Sequence, residues 1–99
     1  FNNAVHIADL AHFIDRLIAS PPTGAAAINL SLDGQMPVAD LLYSLKSLLQ
    51  SGSELIATSD SAKPGFMIDS TLGRERFGWR SMTVEPFLEQ LAADGVAEI

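Results

Sequence analysis

Hydrophobic positions recur at two spacings along this chain, and the changes between them predict its elements. Val5 and Ile7 alternate with Ala4 and His6, the period of a short strand. Asp9 then stands where an N-cap would, before Leu10, Phe13, Ile14, Leu17 and Ile18. Those positions follow i, i+3, i+4, i+7, i+8, a wide apolar stripe on one helix face. Ser20-Pro21-Pro22-Thr23-Gly24 ends that helix, because consecutive prolines cannot continue it. From Ala25 to Leu32 the period falls to two, with Ile28, Leu30 and Leu32 facing one way and Asn29 and Ser31 the other. Asp33-Gly34 turns the chain, and Pro37 suits the first turn of a second helix. That helix carries Leu41, Leu42, Leu45, Leu48 and Leu49 on one side and closes near Ser51-Gly52. Leu55-Ile56-Ala57-Thr58 reads as a third strand and Ser59 to Gly65 as a loop. Asp69 or Ser70 caps a short helix running to Phe77, with Gly78 at its left-handed end. Thr83 caps the last helix, whose core face is Phe87, Leu88 and Leu91.

The predicted order is strand, helix, strand, helix, strand, then two short helices. Such alternation argues for an α/β unit of βαβαβ-αα type with at least one parallel pairing, spanning residues 1–99 as one domain. A chain of 99 residues buries roughly 60–65% of its unfolded surface, so its core is thin. Apolar residues make up 47% of it, enough to exclude disorder. The net charge of −6, with only six Lys and Arg, excludes a phosphate-tracking surface, so no nucleic-acid partner is expected. Without cysteine there is no disulfide framework and no thiolate nucleophile. No apolar run approaches the roughly 18 residues of a spanning helix, so no membrane partner is expected and a cytoplasmic location is. Phe1-Asn2-Asn3-Ala4 has neither the basic nor the apolar region of a signal peptide, and the start lacks Met, as a piece of something longer would.

Three segments carry a family resemblance. Val5-His6-Ile7-Ala8-Asp9-Leu10-Ala11 is similar to the Val-His-Val-x-Asp-Leu-Ala segment that opens the C-terminal region of extended short-chain dehydrogenases. Ile28-Asn29-Leu30-Ser31 follows at the spacing of their Tyr-Asn-Ile-Gly strand. Pro64-Gly65-Phe66-Met67-Ile68-Asp69-Ser70-Thr71, then Phe77-Gly78-Trp79-Arg80 and Thr83-Val84-Glu85-Pro86-Phe87, looks like the family's ending into a terminal helix. Together they cover nearly the whole chain, which resembles the substrate-side C-terminal portion of an NAD-dependent epimerase/dehydratase.

The resemblance implies a parent protein that binds NAD or NADP through an N-terminal Rossmann domain, and a small-molecule substrate held partly by this chain. Relatives seat the dinucleotide on a Gly-x-x-Gly-x-x-Gly turn, which this chain lacks, so no cofactor-binding residue is expected in it. Their catalytic Tyr and Lys stand four apart on a helix; here the sole tyrosine is Tyr43, followed at i+4 by Ser47, with Lys46 only three on. No catalytic residue is therefore expected, and the chain alone should be inactive. In relatives that use nucleotide sugars an Arg-Asp pair precedes the Val-His-Val segment; Asn2 and Asn3 hold those positions here. Lys63 stands in place of a second phosphate-binding Arg, as a point charge rather than a fork. Asn2, Asn3, His6, Lys63 and Phe66 are thus the candidate substrate-binding residues, for a nucleotide sugar or a less charged carbonyl or sugar derivative.

Plainer readings stand beside these. His6, Asp9 and His12 have metal-like residue types, but a predicted strand and cap need not bring them together, and no metal is expected. His6 also reads as a half-buried histidine, Asp9 and Asp69 as helix caps, Phe66 and Met67 as packing residues, and Lys63 as a solvated loop lysine. Trp79 should fold back onto the core with a partner for its indole N–H. Arg74, Glu75 and Arg76 read as a surface helix face rather than an anion site. Cut from its neighbour, the Ile28–Ser31 strand would expose its edge, and a homodimer covering it is expected. The competing reading is a free-standing small α/β ligand-binding or dimerisation module.

Overall fold

The structure, a computed structural model, describes residues 1–56 and 66–94. Among these the chain forms α-helices and no sheet: α1 (Ile7–Ala19), α2 (Val38–Leu48), α3 (Thr71–Phe77) and α4 (Val84–Ala93). This corrects the expected βαβαβ-αα architecture. The helices fall where the apolar spacing placed them, and the strands are what failed to form.

Each strand fails for its own reason. Val5 and Ile7 are too few to pair, and His6 is recruited as the N-cap of α1, its Nδ1 accepting the Ala8 amide at 3.1 Å. Ile7 consequently begins the helix. Asp9 is not the cap; it lies in the first turn, and its carboxylate accepts the Met82 amide at 3.0 Å. Leu55 and Ile56 belong to no regular element, and Ala57 and Thr58 lie outside the described residues. The Ala25–Leu32 segment runs without helix, but only its end is paired. Leu32 donates to the Ala4 carbonyl at 2.8 Å and Asp33 to the Met82 carbonyl at 3.1 Å. A single parallel bridge joins Asp33 to Thr83. A period of two makes a chain able to be a strand; only a neighbour presenting a matching row of backbone groups makes it one.

Residues 31–33 are nevertheless the centre of the molecule, held between the N-terminal residues on one side and residues 82–83 on the other. Two apolar clusters pack around this segment. Leu32, 1% exposed, enters the main core with Leu41 of α2 and Val84, Phe87 and Leu88 of α4, flanked by Phe1, Ala4, Met36, Leu45, Met82 and Leu91. Outside that cluster Trp79 is fully buried, edge-on to Phe13 of α1 with ring centroids 5.3 Å apart. Its indole N–H donates to the Ser31 carbonyl at 3.0 Å, the partner its burial required.

Gly78 closes α3 with φ 74°, the left-handed conformation a glycine adopts without penalty. Gly73 is needed for another reason: a β-carbon there would sit 3.3 Å from the Asn29 carbonyl oxygen and 3.5 Å from Trp79 Cβ, so α3 can approach the extended segment closely. No described helix is long and apolar enough to cross a membrane.

Candidate functional site

Two concave surfaces flank the residue 28–33 segment. The first is a polar cleft of about 250 Å³ over Asn2, Ser31, Asp33, Asp69, Ser70 and Arg74. Its floor is three buried polar side chains, Asn2, Ser31 and Ser70, each at most 3% exposed. Asn2 takes both backbone groups of Ile68: its Oδ1 accepts the amide at 3.0 Å and its Nδ2 donates to the carbonyl at 2.9 Å. Nδ2 also lies 3.4 Å from Ser31 Oγ, which is 3.1 Å from Ser70 Oγ. Arg74 reaches down from α3 to Ser70 Oγ at 3.4 Å and pairs with the Asp33 carboxylate at 3.1 Å. Every buried side-chain nitrogen and oxygen among the described residues has a partner, so the floor is a satisfied network.

Asp69 stands at the cleft rim. Hydrogen bonds from the Thr71 side chain and amide, with the Arg74 charge adding less, hold its carboxyl below the usual carboxylate range. Chemically the cleft offers acceptors at Asp33 and Asp69, donors at Arg74, and hydroxyls. Among the described residues no histidine is hydrogen-bonded to either serine. The cleft's groups can hold a polar ligand.

The second surface is an apolar cleft of about 380 Å³ lined by Phe13, Leu17, Ile28, Leu30 and Phe77 with the Pro22–Ala26 stretch. Its wall is the extended chain. From Ala25 to Leu30 no backbone N–H or C=O has a hydrogen-bond partner among the described residues. Six consecutive residues without a backbone partner among the described residues, beside an apolar hollow, form an open edge.

The residues expected to hold substrate do not gather in one place. Asn2 lies in the floor of the polar cleft, but its amide is spent on Ile68. Asn3 is exposed to solvent. His6 caps α1 and faces the other way, its Nε2 3.5 Å from the Asp94 carboxylate and its ring edge-on to Phe87. Phe66 is 83% exposed and packs against nothing that would make it a core residue. Lys63 lies outside the described residues. Tyr43 is 62% exposed on α2 and Lys46 follows within one turn, without the i+4 spacing of a proton-transfer pair.

Sequence reasoning missed the Ser31–Ser70–Arg74–Asp33 chain. Its Arg74–Asp33 pair alone spans 41 residues, and no local pattern links the members. Ser70 was legible only as a possible cap. The open edge had a signal, the period-two run ending at Leu32, but nothing in that run says whether a partner is present.

Comparison of the chain with protein families, with curated proteins and with solved structures finds no match.

Proposed function

We propose that this chain is the substrate-side portion of a cytoplasmic NAD(P)-dependent epimerase, dehydratase or related reductase, inactive alone and completed by a neighbouring Rossmann domain. The observation that carries the reading is the open edge from Ala25 to Leu30. Unpaired amides and carbonyls cost free energy wherever water is excluded, and beside an apolar hollow another extended backbone satisfies them best. A neighbouring sheet supplies such a backbone, and it would bury Ile28, Leu30 and Phe77 with it.

In this reading the neighbour contributes the dinucleotide seat and the Tyr-Lys proton shuttle, and the polar cleft orients a hydroxyl- or carbonyl-bearing small molecule through Asp33, Asp69 and Arg74. Without the neighbour, a second copy of the chain covers the edge.

Two measurements test it. The coding sequence upstream of Phe1 should contain a glycine-rich strand–turn–helix and a Tyr-x-x-x-Lys. The whole translated protein should bind NAD(H) or NADP(H), seen as a change in Trp79 fluorescence, while the 99-residue chain should not. Saturable dinucleotide binding by the chain alone, or an upstream sequence without either motif, would end the proposal.

A further inference from the structure

Cations are scarce in this chain, six against twelve carboxylates, yet four of the six are Arg16, Arg74, Arg76 and Arg80. Two of those touch one turn and a third stands two residues before it. The Arg16 guanidinium reaches from the last turn of α1 onto Gly78, so close that a β-carbon there would collide with it and would lie 3.5 Å from Cζ. Arg80 folds back on the same turn, its Nη1 donating to the Trp79 carbonyl at 3.0 Å. Arg76 stands two residues before Gly78, its guanidinium 6.0 Å from the centre of the Phe77 ring.

With carboxylates twice as numerous as cations, each arginine has acidic groups to choose from. The ion pairs among the described residues are Arg74 with Asp33 and His6 with Asp94; Arg16, Arg76 and Arg80 make none. Their sequence neighbours Asp15 and Glu75 offset part of the charge without contacting them. All three side chains are exposed, and each keeps most of its five N–H donors unused.

We propose that Arg16, Arg76 and Arg80 around the Gly78–Trp79 turn form a binding site for a phosphate-bearing small molecule. The planar fork of a guanidinium matches a phosphate in two parallel hydrogen bonds, and the bare α-carbon of Gly78 lets Arg16 lie against the turn whose Trp79 carbonyl holds Arg80. The extent of the site selects the size of its ligand. Charges act over about 8 Å at physiological salt, so a compact phosphate feels chiefly the guanidiniums. A polyanion or an acidic protein surface would extend into the field of a chain carrying net −6. The site does not depend on the proposed enzymatic role and is tested without any dinucleotide.

The test is an NMR titration of the ¹⁵N-labelled chain with inorganic phosphate, with sodium chloride replacing it at constant ionic strength as reference. Saturable shifts confined to the Gly78 and Trp79 amides and the side-chain Nε–H signals of Arg16, Arg76 and Arg80 are expected. Arg16→Gln and Arg80→Gln should each weaken binding about tenfold, the loss of one charge-assisted pair of hydrogen bonds. Lys46→Gln, which removes an equal charge from α2, should change it less than about twofold. Shifts no larger than those in chloride, or equal weakening by Lys46→Gln and Arg16→Gln, would overturn the site in favour of diffuse attraction.

Discussion

Asn2 illustrates how a residue expected to touch substrate is instead used by the fold. It joins the N-terminus to residue 68 with a two-ended clamp, at 2% exposure. Asn2→Ala should therefore destabilise the chain by about 2 kcal/mol, because it strands two backbone groups and a serine near the protein interior. Urea unfolding checks this; unchanged stability would return Asn2 to a purely ligand-facing role. Trp79→Phe should cost about 2–3 kcal/mol, from the lost volume beside Phe13 and an unpaired Ser31 carbonyl. Circular dichroism melting reads it without the tryptophan signal. Asp69 gives a pH dependence. Its carboxyl titrates lower in the folded chain than in the unfolded one, so its contribution is fully present above the ordinary carboxylate range. That contribution is lost as pH falls through the lowered folded value. Melting temperatures recorded from pH 6 down to pH 2 should fall less steeply for Asp69→Ala than for the parent chain in this acid range.

The helices were legible as elements because each rests on a local apolar stripe and a breaker, although the predicted caps did not hold: His6 caps α1, and no N-cap side chain makes a capping bond at α2, α3 or α4. Even so, α1 shows the limit of a stripe. Its predicted face included Ile14 and Ile18, but only Phe13 is buried, while Ile14 is 45% and Ile18 73% exposed. Spacing defines which side of a helix is apolar, and the partner decides how much of that side is covered; here Trp79 and the extended segment cover only part. The end of α3 was read correctly from Gly78. Gly78→Ala should destabilise by about 1–2 kcal/mol, from the left-handed backbone, since the tip of Arg16 can swing aside. The strand predicted over Ala25–Leu32 does not form: the alternation of Ile28, Leu30 and Leu32 falls on a segment without helix, of which only the end is paired. Amides from Ala25 to Leu30 should exchange with solvent rapidly in the free monomer and become protected when a partner docks, as hydrogen-exchange mass spectrometry would show.

At the scale of the molecule, the main cluster around Leu32 and the Phe13–Trp79 pair are separate, and the apolar cleft beside Phe13 stays open. The isolated chain should dimerise through this face, and light scattering coupled to size-exclusion chromatography should show the dimer lost on Ile28→Asp, whose charge would be desolvated in the paired edge. A monomer at high concentration in the parent chain would argue against the open edge as an interface.

The order of amino acids alone determined the four helices, the turns at Asp33-Gly34 and Gly78, and the acidic balance that disfavours nucleic acid, because each depends on residues near in sequence or on simple counts. Pairing was decided only in three dimensions. Backbone hydrogen bonds between distant segments, the Asn2 clamp, and the meeting of Arg16 with the end of α3 depend on which surfaces fold against each other. An extended segment carries the same alternation whether or not anything lies beside it.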